Sequence, residues 1–460
     1  MATDPVTAEM QGGFDIQAVI DRQKRLLPQM PLLVLMTFIM LLDGYDVFML
    51  GRIAPAMAED FGEPIAGLTL VFVVQQIGLA IGSFLIGPLS DRYGRKSLLL
   101  ACVVAFGLLT LAPIWANSLL QVAVLRGIAG LFLAGIIPNA AAMLTEFAPP
   151  HRRASFVSIA FTGFTAGGAA GSLVAMWLLD DYGWEIGFWI GGIIPLLVAP
   201  IFALVTDESL QFRVRRDPHD PRIAAALRRI EPGIDLQGVE RFRIGTEDVP
   251  ARAAAGPSAG GIPAMFGDGR APTTVLLWSA YFIALGLIAL LGAWMAAFFL
   301  EFSHIPLSES AAYSLLSFVG GLAGTTTVGF LMDRLGGARV LVALFLVDAV
   351  ALGIMGLVPF GSWGFVIVTL LWGYCQAGGQ GGLNAICAQA YPTAIRASGV
   401  GWAFGMGRLG GVAMPAMGGL MLASGSSLAQ VFLIIAGFPL LVALALFGLA
   451  RLDAKGRLGR

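Results

Sequence analysis

Long apolar segments constrain this chain more than any other feature. A window of about 20 residues, the length of helix that crosses a hydrocarbon core of about 30 Å, finds twelve candidate spans. They lie near residues 31–52, 66–88, 97–116, 120–144, 154–178, 186–206, 274–300, 311–331, 338–359, 362–386, 396–421 and 428–450. With 57% hydrophobic and 12% charged residues, the chain has too little polar surface for a water-soluble fold of 460 residues. The sequence therefore predicts an all-α membrane protein with twelve transmembrane helices.

The connections between the spans alternate in charge. Basic residues occupy the segment before span 1, the even-numbered connections and the tail after span 12, whereas the odd-numbered connections are mainly acidic. Cytoplasmic loops are enriched in Lys and Arg, so this alternation predicts that both termini are cytoplasmic. The first thirty residues lack the basic start, short apolar core and cleavage site of a signal peptide. We therefore expect a multi-pass membrane protein whose amino terminus stays in the cytoplasm.

Two motifs recur along the chain at nearly the same interval. The sequence GPLSDRYG at 87–94, after span 2, resembles GFLMDRLG at 329–336, after span 8, at an interval of 242 residues. Arg-Ala-Ser at 153–155, before span 5, recurs at 396–398, before span 11. These repeats predict two six-helix halves in parallel orientation. The predicted parts are a tail of residues 1–30, an N-terminal half of 31–206, an interdomain loop of 207–273, a C-terminal half of 274–451 and a tail of 452–460.

Two acids, Asp43 and Asp46, lie three residues apart inside span 1. Residues at this spacing share a helix face, and an ionised carboxylate at the bilayer centre costs several kcal/mol. The two acids cannot easily be ionised at the same time, so we expect one of them to hold its proton near neutral pH. Arg126 on span 4 lies at nearly the same depth, and its approach is expected to favour release of that proton. The three residues predict a proton-coupling site; the alternative is a static buried ion pair.

Arg408 is the strongest candidate for binding an anion. It lies twelve residues beyond Arg396. At 1.5 Å per residue this places it roughly 18 Å deep, near the midplane where carriers bind their ligands. A guanidinium there can hold a carboxylate through two parallel hydrogen bonds. The alternative is a structural cation paired with an acid on a neighbouring helix, for which Asp348 is the obvious candidate in that half.

The motif after span 2 carries a resemblance to a known family. The pattern G-x-L-x-D-R-x-G-R-K is matched in full from Gly87 to Lys96, and its second copy keeps Asp333, Arg334 and Gly336. These residues resemble the major facilitator superfamily. The D-G-x-D pattern of span 1 and the glycine-rich run from Arg396 to Gly410 in span 11 are similar to those of its aromatic acid:proton symporters. The resemblance implies import of benzoate-, hydroxybenzoate- or protocatechuate-type carboxylates across the inner (plasma) membrane of a bacterium.

The same resemblance implies a gate at the cytoplasmic ends of the helices. We expect Glu146, at the end of span 4, to join this gate through Arg92 or Arg95. The residues carried over from the motifs are Gly87, Asp91, Arg92, Gly94, Arg95, Asp333, Arg334 and Arg396. The second copy has Gly337-Ala338 where the first has Arg-Lys, so its gating role is the weaker inference.

An aromatic substrate also needs flat apolar walls and a few polar groups. Trp294 on span 7 and Trp402 on span 11 are candidates for the walls, although helix packing explains them equally well. Gln376, Gln380 and Asn384 are four residues apart on span 10 and therefore share one helix face, which we expect to line a wet cavity.

Motifs for enzymatic chemistry are missing from the sequence. The glycine run at 378–382 has no GK[ST] ending, and the three histidines lie in separate loops without metal-ligand spacing. We expect a monomeric proton-coupled symporter that uses the proton as coupling ion, needs no cofactor and binds no nucleic acid. Two alternatives remain within the same fold, uptake of another organic anion such as a sugar acid and export of a drug. A non-transporting membrane sensor is the alternative from another class.

Overall fold

A computed structural model describes residues 13–22, 29–149, 152–231, 234–236, 239, 241–244, 262–267, 269–392 and 395–454. Ten helical segments in these ranges are long and apolar enough to cross a membrane. Two glycine-rich helices of 28 residues complete the twelve spans. In chain order the span helices are Met30–Asp60, Leu68–Tyr93, Arg95–Leu111, Leu119–Leu133 with Ile136–Phe147, Arg153–Tyr182, Glu185–Val205, Ala271–Ser303, Leu307–Leu335, Gly337–Met355, Trp363–Ala390, Arg396–Ala423 and Leu428–Ala454. The predicted fold class is confirmed.

Span 4 differs from its prediction because its helix is interrupted. One segment ends at Leu133 and the next begins at Ile136. Pro138 has no N–H with which to bond the carbonyl of Ala134, so the regular pattern of helical hydrogen bonds is interrupted at this point. The interruption leaves two shorter helices that together cross the bilayer.

The two copies of the repeated motif end their helices in the same way. Gly94 after span 2 has φ +95°, and Gly336 after span 8 has φ +93°. Glycine adopts this left-handed region without steric cost, and it is the usual residue just past a helix end. The repeat in the sequence is therefore also a repeat in backbone geometry.

Buried apolar side chains form one cluster shared by both halves and two clusters confined to one half each. We call the end of the bundle where residues 206–270 link the halves the connector end, and the opposite end the far end. The shared cluster lies toward the far end and includes Met57, Phe72, Leu291 and Trp294. The separate clusters lie toward the connector end, one around Phe106 and the other around residues 341–345. The halves are therefore joined at the far end and separate toward the connector end.

Glycines allow the close contacts that join the halves at the far end. A Cβ on Gly51 of span 1 would fall 2.0 Å from the carbonyl oxygen of Gly292 on span 7. A Cβ on Gly419 of span 11 would fall 1.9 Å from the hydroxyl of Thr69 on span 2. Larger side chains at these glycines would hold the helices apart, because real Cβ atoms essentially never approach so closely.

The segment linking the halves packs with the N-terminal tail. Phe14–Asp15 pairs in parallel with Phe242–Arg243, and the helix Ile16–Arg22 packs on the helices Leu210–Arg216 and Pro221–Ile230 around a small apolar cluster. A further short helix, Ile262–Phe266, precedes span 7. We call Leu210–Arg216 the connector helix. This small subdomain lies against the connector end of the N-terminal half, where Phe147 at the end of span 4 packs against its apolar cluster.

Candidate functional site

Asp46 and Arg126 form an ion pair inside the N-terminal half. Arg126 Nη1 donates to Asp46 Oδ1 at 2.9 Å, and Nη2 contacts the other carboxylate oxygen. Both side chains are almost completely buried. Two parallel hydrogen bonds between a guanidinium and a carboxylate are the strongest common geometry for such a pair. The predicted meeting of spans 1 and 4 therefore occurs through Asp46.

Neutral polar groups complete this pair. Thr110 on span 3 donates its hydroxyl to Asp46 Oδ1 at 2.9 Å, and Arg126 Nε donates to Gln75 Oε1 at 3.4 Å. The guanidinium also lies 6.0 Å from the ring centroid of Phe188. Thr110 could not be identified from the sequence, where its only signal is a hydroxyl within an apolar span. Asp46 and its partner Arg126 are thus held by groups from several other helices.

Asp43 lies one turn nearer the connector end and has different surroundings. It is buried, but it makes no hydrogen bond or ion pair with any residue of the described chain. Its electrostatic neighbours are Asp46 on its own helix and Arg408 on span 11. The two acids of the D-G-x-D pattern are therefore not equivalent: one is neutralised within its half, and the other faces a cation of the opposite half.

Arg408 is half-buried and close enough to Asp43 to interact with it electrostatically. Within the described residues its guanidinium has no hydrogen-bond partner. Gly401 and Gly405 lie seven and three residues before it, on the same helix face, and a Cβ on either would meet no atom within 4 Å. A strip of open space therefore leads along span 11 from the connector end to Arg408.

Asp348 makes no ion pair with Arg408 among the described residues, so the structure does not show the pairing considered above for this arginine. Asp348 lies on span 9, is fully buried, and both of its carboxylate oxygens lack a hydrogen-bond partner among the described residues. Its electrostatic neighbour is Cys375 on span 10. Among the described residues, Asp348 therefore does not neutralise Arg408.

The polar residues of span 10 lie together. Asn384 Oδ1 accepts hydrogen bonds from the hydroxyl of Tyr281 at 2.8 Å and from Gln380 Nε2 at 3.2 Å. The amide oxygens of Gln376 and Gln380 are buried without partners in the described part of the chain. Buried polar atoms are usually hydrogen-bonded, so these two oxygens are available acceptors in the C-terminal half.

Trp294 packs in the core in this conformation. Its side chain is fully buried, its indole N–H donates to the carbonyl oxygen of Pro415 at 2.8 Å, and its ring stacks on Phe298. It also meets Phe72 of the other half edge-on. The structure therefore places this predicted substrate-binding residue in the contact that joins the halves.

Trp402 lies on the lipid-facing side of span 11, contrary to its prediction. It is 37% exposed and shares a helix face with Leu409 and Leu420, which are 52% and 71% exposed. These residues follow it at intervals of seven and eighteen, whereas Arg408 projects about 120° away at 100° per residue. Trp402 stacks on Trp278 and does not face Arg408.

The first motif contacts the segment that links the halves. Arg95 Nη2 lies 2.7 Å from Glu146 Oε1, and Ser209 donates its hydroxyl to the other oxygen of Glu146. Glu208 accepts from the backbone N–H of Lys96 at 2.9 Å and lies where a Cβ on Gly94 would collide with it. The interdomain loop, which carried no prediction for chemistry, therefore caps span 3 and holds the expected gate residue Glu146.

The remaining predicted gate residues make few contacts. Arg92 is exposed, with its guanidinium 5.4 Å from the ring centroid of Tyr93. Asp333 and Arg334 of the second copy are exposed and make no ion pair with a described residue. Gly87 has no side chain, and the side chains of Asp91 and Arg396 are not among those that the structure describes. The two copies of the motif thus have different surroundings in this conformation.

Known proteins resemble this chain over its whole length. A gallate transporter of Pseudomonas putida is 32% identical over 456 residues, which cover 99% of this chain and 98% of that protein. The 4-hydroxybenzoate transporter PcaK of Pseudomonas aeruginosa is 32% identical, with coverage of 91% and 92%. A benzoate transport protein of Acinetobacter baylyi is 27% identical, with coverage of 90% and 88%.

Two further comparisons concern the fold. A solved structure of a bacterial homolog of the human lysosomal transporter Spinster, described as inward-facing and unoccupied, superposes with a TM-score of 0.64 at 18% identity. It covers 93% of this chain and 96% of that protein. The model of the Major Facilitator Superfamily matches residues 36–320. The chain therefore belongs to the major facilitator superfamily and, within it, to the same family as the gallate, 4-hydroxybenzoate and benzoate transporters.

Proposed function

We propose that this protein is a proton-coupled symporter that imports small aromatic carboxylates across the bacterial inner membrane. The observation that carries the proposal is Arg408, a guanidinium without a hydrogen-bond partner among the described residues, which faces Asp43 across the two halves. The related proteins are named for gallate, 4-hydroxybenzoate and benzoate, all of which carry a carboxylate on an aromatic ring.

Arg408 anchors the substrate carboxylate. A half-buried guanidinium offers planar, paired donors that match a carboxylate, and the open face over Gly401 and Gly405 leaves room for a flat ring to approach. Gln376 and Gln380 on span 10 present amide oxygens to which ring hydroxyl groups can donate. Hydroxylated benzoates therefore suit the site better than aliphatic anions without a ring.

Asp43 carries the coupled proton. While the site is empty, Arg408 of the opposite half interacts electrostatically with this carboxylate. An incoming substrate carboxylate takes over Arg408, and Asp43 is left beside the like charge of Asp46. Two neighbouring carboxylates disfavour double ionisation, so Asp43 then binds a proton. Substrate and proton thus favour each other's binding, which is the condition for symport.

The way the halves are joined supports transport by alternating access. The positive-inside pattern supports a cytoplasmic connector end, and with that orientation this conformation is open to the cytoplasm and closed at the far end. Rocking of the halves about the midplane opens the contact around Gly51 and closes the connector end. The substrate enters from outside with a proton, and both leave into the cytoplasm.

Substitution of Arg408 tests the proposal through binding. Arg408→Lys keeps the charge but loses the paired geometry, and Arg408→Ala removes both, so affinity for a hydroxybenzoate should fall in the order wild type, Lys, Ala. Truncating one member of a buried charge pair typically costs about 2–5 kcal/mol. The matched control Arg451→Ala removes an exposed arginine that stacks on Phe447, and its affinity should stay at the wild-type value.

The amide of the same substrate separates direct contact from a structural role. A benzamide lacks the carboxylate, so it should bind the wild-type protein weakly. Its affinity should fall little further in Arg408→Ala. Equal losses for acid and amide would show that Arg408 supports the fold instead. Proteoliposomes test the coupling: uptake of the acid should acidify the lumen, and a saturable flux without acidification would contradict symport.

A further inference from the structure

Arg52 is a buried cation at the far end, in the contact that joins the halves. It follows Gly51 on span 1 and is 5% exposed. Its guanidinium carbon lies 5.4 Å from the ring centroid of Phe318 on span 8, so it contacts the opposite half. Separation of the halves at this end therefore removes the ring and exposes the guanidinium.

No acid of the described chain compensates the charge of Arg52. Its Nη1 donates to a carbonyl oxygen of its own helix, and its buried Nε has no hydrogen-bond partner among the described residues. Its electrostatic neighbour is the uncharged phenol of Tyr45, and no described carboxylate forms an ion pair with it. Asp46, the acid before it on span 1, is paired with Arg126, and the next acids, at 59–60, are exposed two turns further along. An unpaired buried charge is unfavourable, so Arg52 favours an anionic partner once the far end opens.

The ring of Phe318 fills a slot in the N-terminal half. A Cβ on Gly168 of span 5 would fall 2.3 Å from this ring, and the ring of Phe48 meets it edge-on at a centroid distance of 5.0 Å. Arg52 covers a third side of the ring. We call the space that this ring occupies the Phe318 slot. It has flat apolar walls and a guanidinium at its rim, which are the two features that bind an aromatic carboxylate.

Opening of the far end vacates the Phe318 slot. The walls of the slot belong to spans 1 and 5, whereas Phe318 belongs to span 8, so the two parts move away from each other when the halves rock about the midplane. Phe164 of span 5, whose ring centroid lies 5.6 Å from that of Phe48, extends the apolar wall. In the orientation proposed above, the vacated slot faces the outside.

The Phe318 slot lies nearer the far end than the site around Arg408. Arg52 is nine residues beyond Asp43 on span 1, about 14 Å along the helix axis at 1.5 Å per residue. At 100° per residue the two side chains flank Gly51, whose side of the helix packs on span 7. Asp43 interacts with Arg408 on one flank, and Arg52 contacts span 8 on the other. A substrate that arrives through an open far end therefore reaches Arg52 first.

We propose that the Phe318 slot is an outer binding site for the substrate. When the far end is open, the carboxylate binds Arg52 through paired hydrogen bonds, and the aromatic ring takes the place of Phe318. As the halves close at this end, the substrate moves on to Arg408, and Phe318 refills the slot and blocks the way back. This inference rests on the import of aromatic carboxylates proposed above.

A variant held open at the far end makes the Phe318 slot accessible. Gly419→Leu adds a side chain where a Cβ alone would fall 1.9 Å from the hydroxyl of Thr69, and a longer distance between spin labels at residues 59 and 301 reports the opening. Isothermal titration calorimetry then measures binding of 4-hydroxybenzoate. In this background Arg52→Gln should lower the affinity about tenfold, because it removes a hydrogen bond between charged groups. Arg52→Lys keeps the charge and should recover part of the loss.

The protein that is closed at the far end provides the matched comparison. Phe318 fills the slot there, so Arg52→Gln alone should change the affinity by less than about twofold. The control Arg222→Gln removes an exposed arginine from the helix Pro221–Ile230 and should leave the affinity unchanged in both backgrounds. A benzamide lacks the carboxylate, so its affinity for the Gly419→Leu protein should fall little on Arg52→Gln.

The outcomes separate this outer site from the proposed function. An unchanged affinity of Arg52→Gln in the Gly419→Leu background would overturn the outer site, and a loss on Arg408→Ala in the closed protein would still support the proposed function. Equal losses on Arg52→Gln in both backgrounds, or for acid and amide, would mean that Arg52 supports the fold, which also overturns the outer site. A loss confined to the acid in the opened protein would support it, whatever the effect of Arg408→Ala.

Discussion

Asp43 and Asp46 are adjacent in the sequence pattern but should respond differently to the same substitution. Asp46→Asn removes the charge that balances Arg126, whose side chain is fully buried. Asp43→Asn removes a carboxylate that makes no hydrogen bond with a described residue. We therefore expect Asp46→Asn to destabilise the folded protein and Asp43→Asn to leave it stable but without proton-driven accumulation.

The contacts of Arg126 set the expected loss in the free energy of unfolding for Asp46→Asn. Removing one partner of a buried ion pair typically costs about 3–5 kcal/mol, because the other charge is left uncompensated. Gln75, Thr110 and the amide introduced at position 46 still offer oxygens to the guanidinium, so we expect a value near the lower limit, about 3 kcal/mol. Asp43→Asn loses no hydrogen bond and should cost less than about 1 kcal/mol.

The assay is unfolding in detergent micelles titrated with sodium dodecyl sulfate, combined with transport in proteoliposomes. The double variant Asp46→Asn, Arg126→Gln removes both charges and should recover most of the stability lost in Asp46→Asn, with a coupling free energy of about 2–3 kcal/mol. In transport, Asp43→Asn should still exchange substrate in counterflow, which needs no net proton movement.

Three results would refute this reasoning. Equal destabilisation by Asp43→Asn and Asp46→Asn would mean that the acids share Arg126. A double variant no more stable than Asp46→Asn would mean that the ion pair contributes through something other than charge compensation. Retained protonophore-sensitive accumulation in Asp43→Asn would move the proton site elsewhere.

Two further predictions concern helix packing. Gly51→Ala places a Cβ 2.0 Å from the Gly292 carbonyl oxygen, so spans 1 and 7 should separate at the far end. The distance between spin labels at residues 59 and 301, measured by double electron–electron resonance, should therefore lengthen. Gly437→Ala, which meets no atom within 4 Å, is the control, and unchanged distances in both variants would contradict the proposed contact. Trp402→Leu should change hydroxybenzoate affinity by less than about twofold because Trp402 faces lipid. A loss comparable to that of Arg408→Ala would place this ring in the substrate site.

The number and order of the transmembrane helices could be predicted from the sequence. A helix needs about 20 apolar residues to cross the hydrocarbon core, and every backbone polar group there must be bonded within the helix, so apolar length alone identifies the spans. The repeated motif likewise predicted two halves, and its glycines at 94 and 336 have the same left-handed backbone geometry. These features depend on residues close together in the chain.

The partners of the charged residues were decided by tertiary structure. Spacing put Asp43 and Asp46 on one face, but only the packing of spans 3 and 4 assigned Thr110 and Arg126 to Asp46. The rotation of a helix about its own axis depends on neighbours far away in sequence, and a rotation of about 100° per residue separates a cavity-facing side chain from a lipid-facing one.

Span 11 illustrates this difference best. Its sequence places Trp402 and Arg408 at plausible depths, because depth follows from counting residues along one helix. Which of them faces the gap between the halves depends on how Gly410 packs against the backbone of span 7, where a Cβ would fall 1.9 Å from the carbonyl oxygen of Phe282. That contact turns Trp402 toward lipid and Arg408 toward Asp43. The sequence by itself determined the spans and the types of charge within them, and the tertiary contacts determined which of those charges meet.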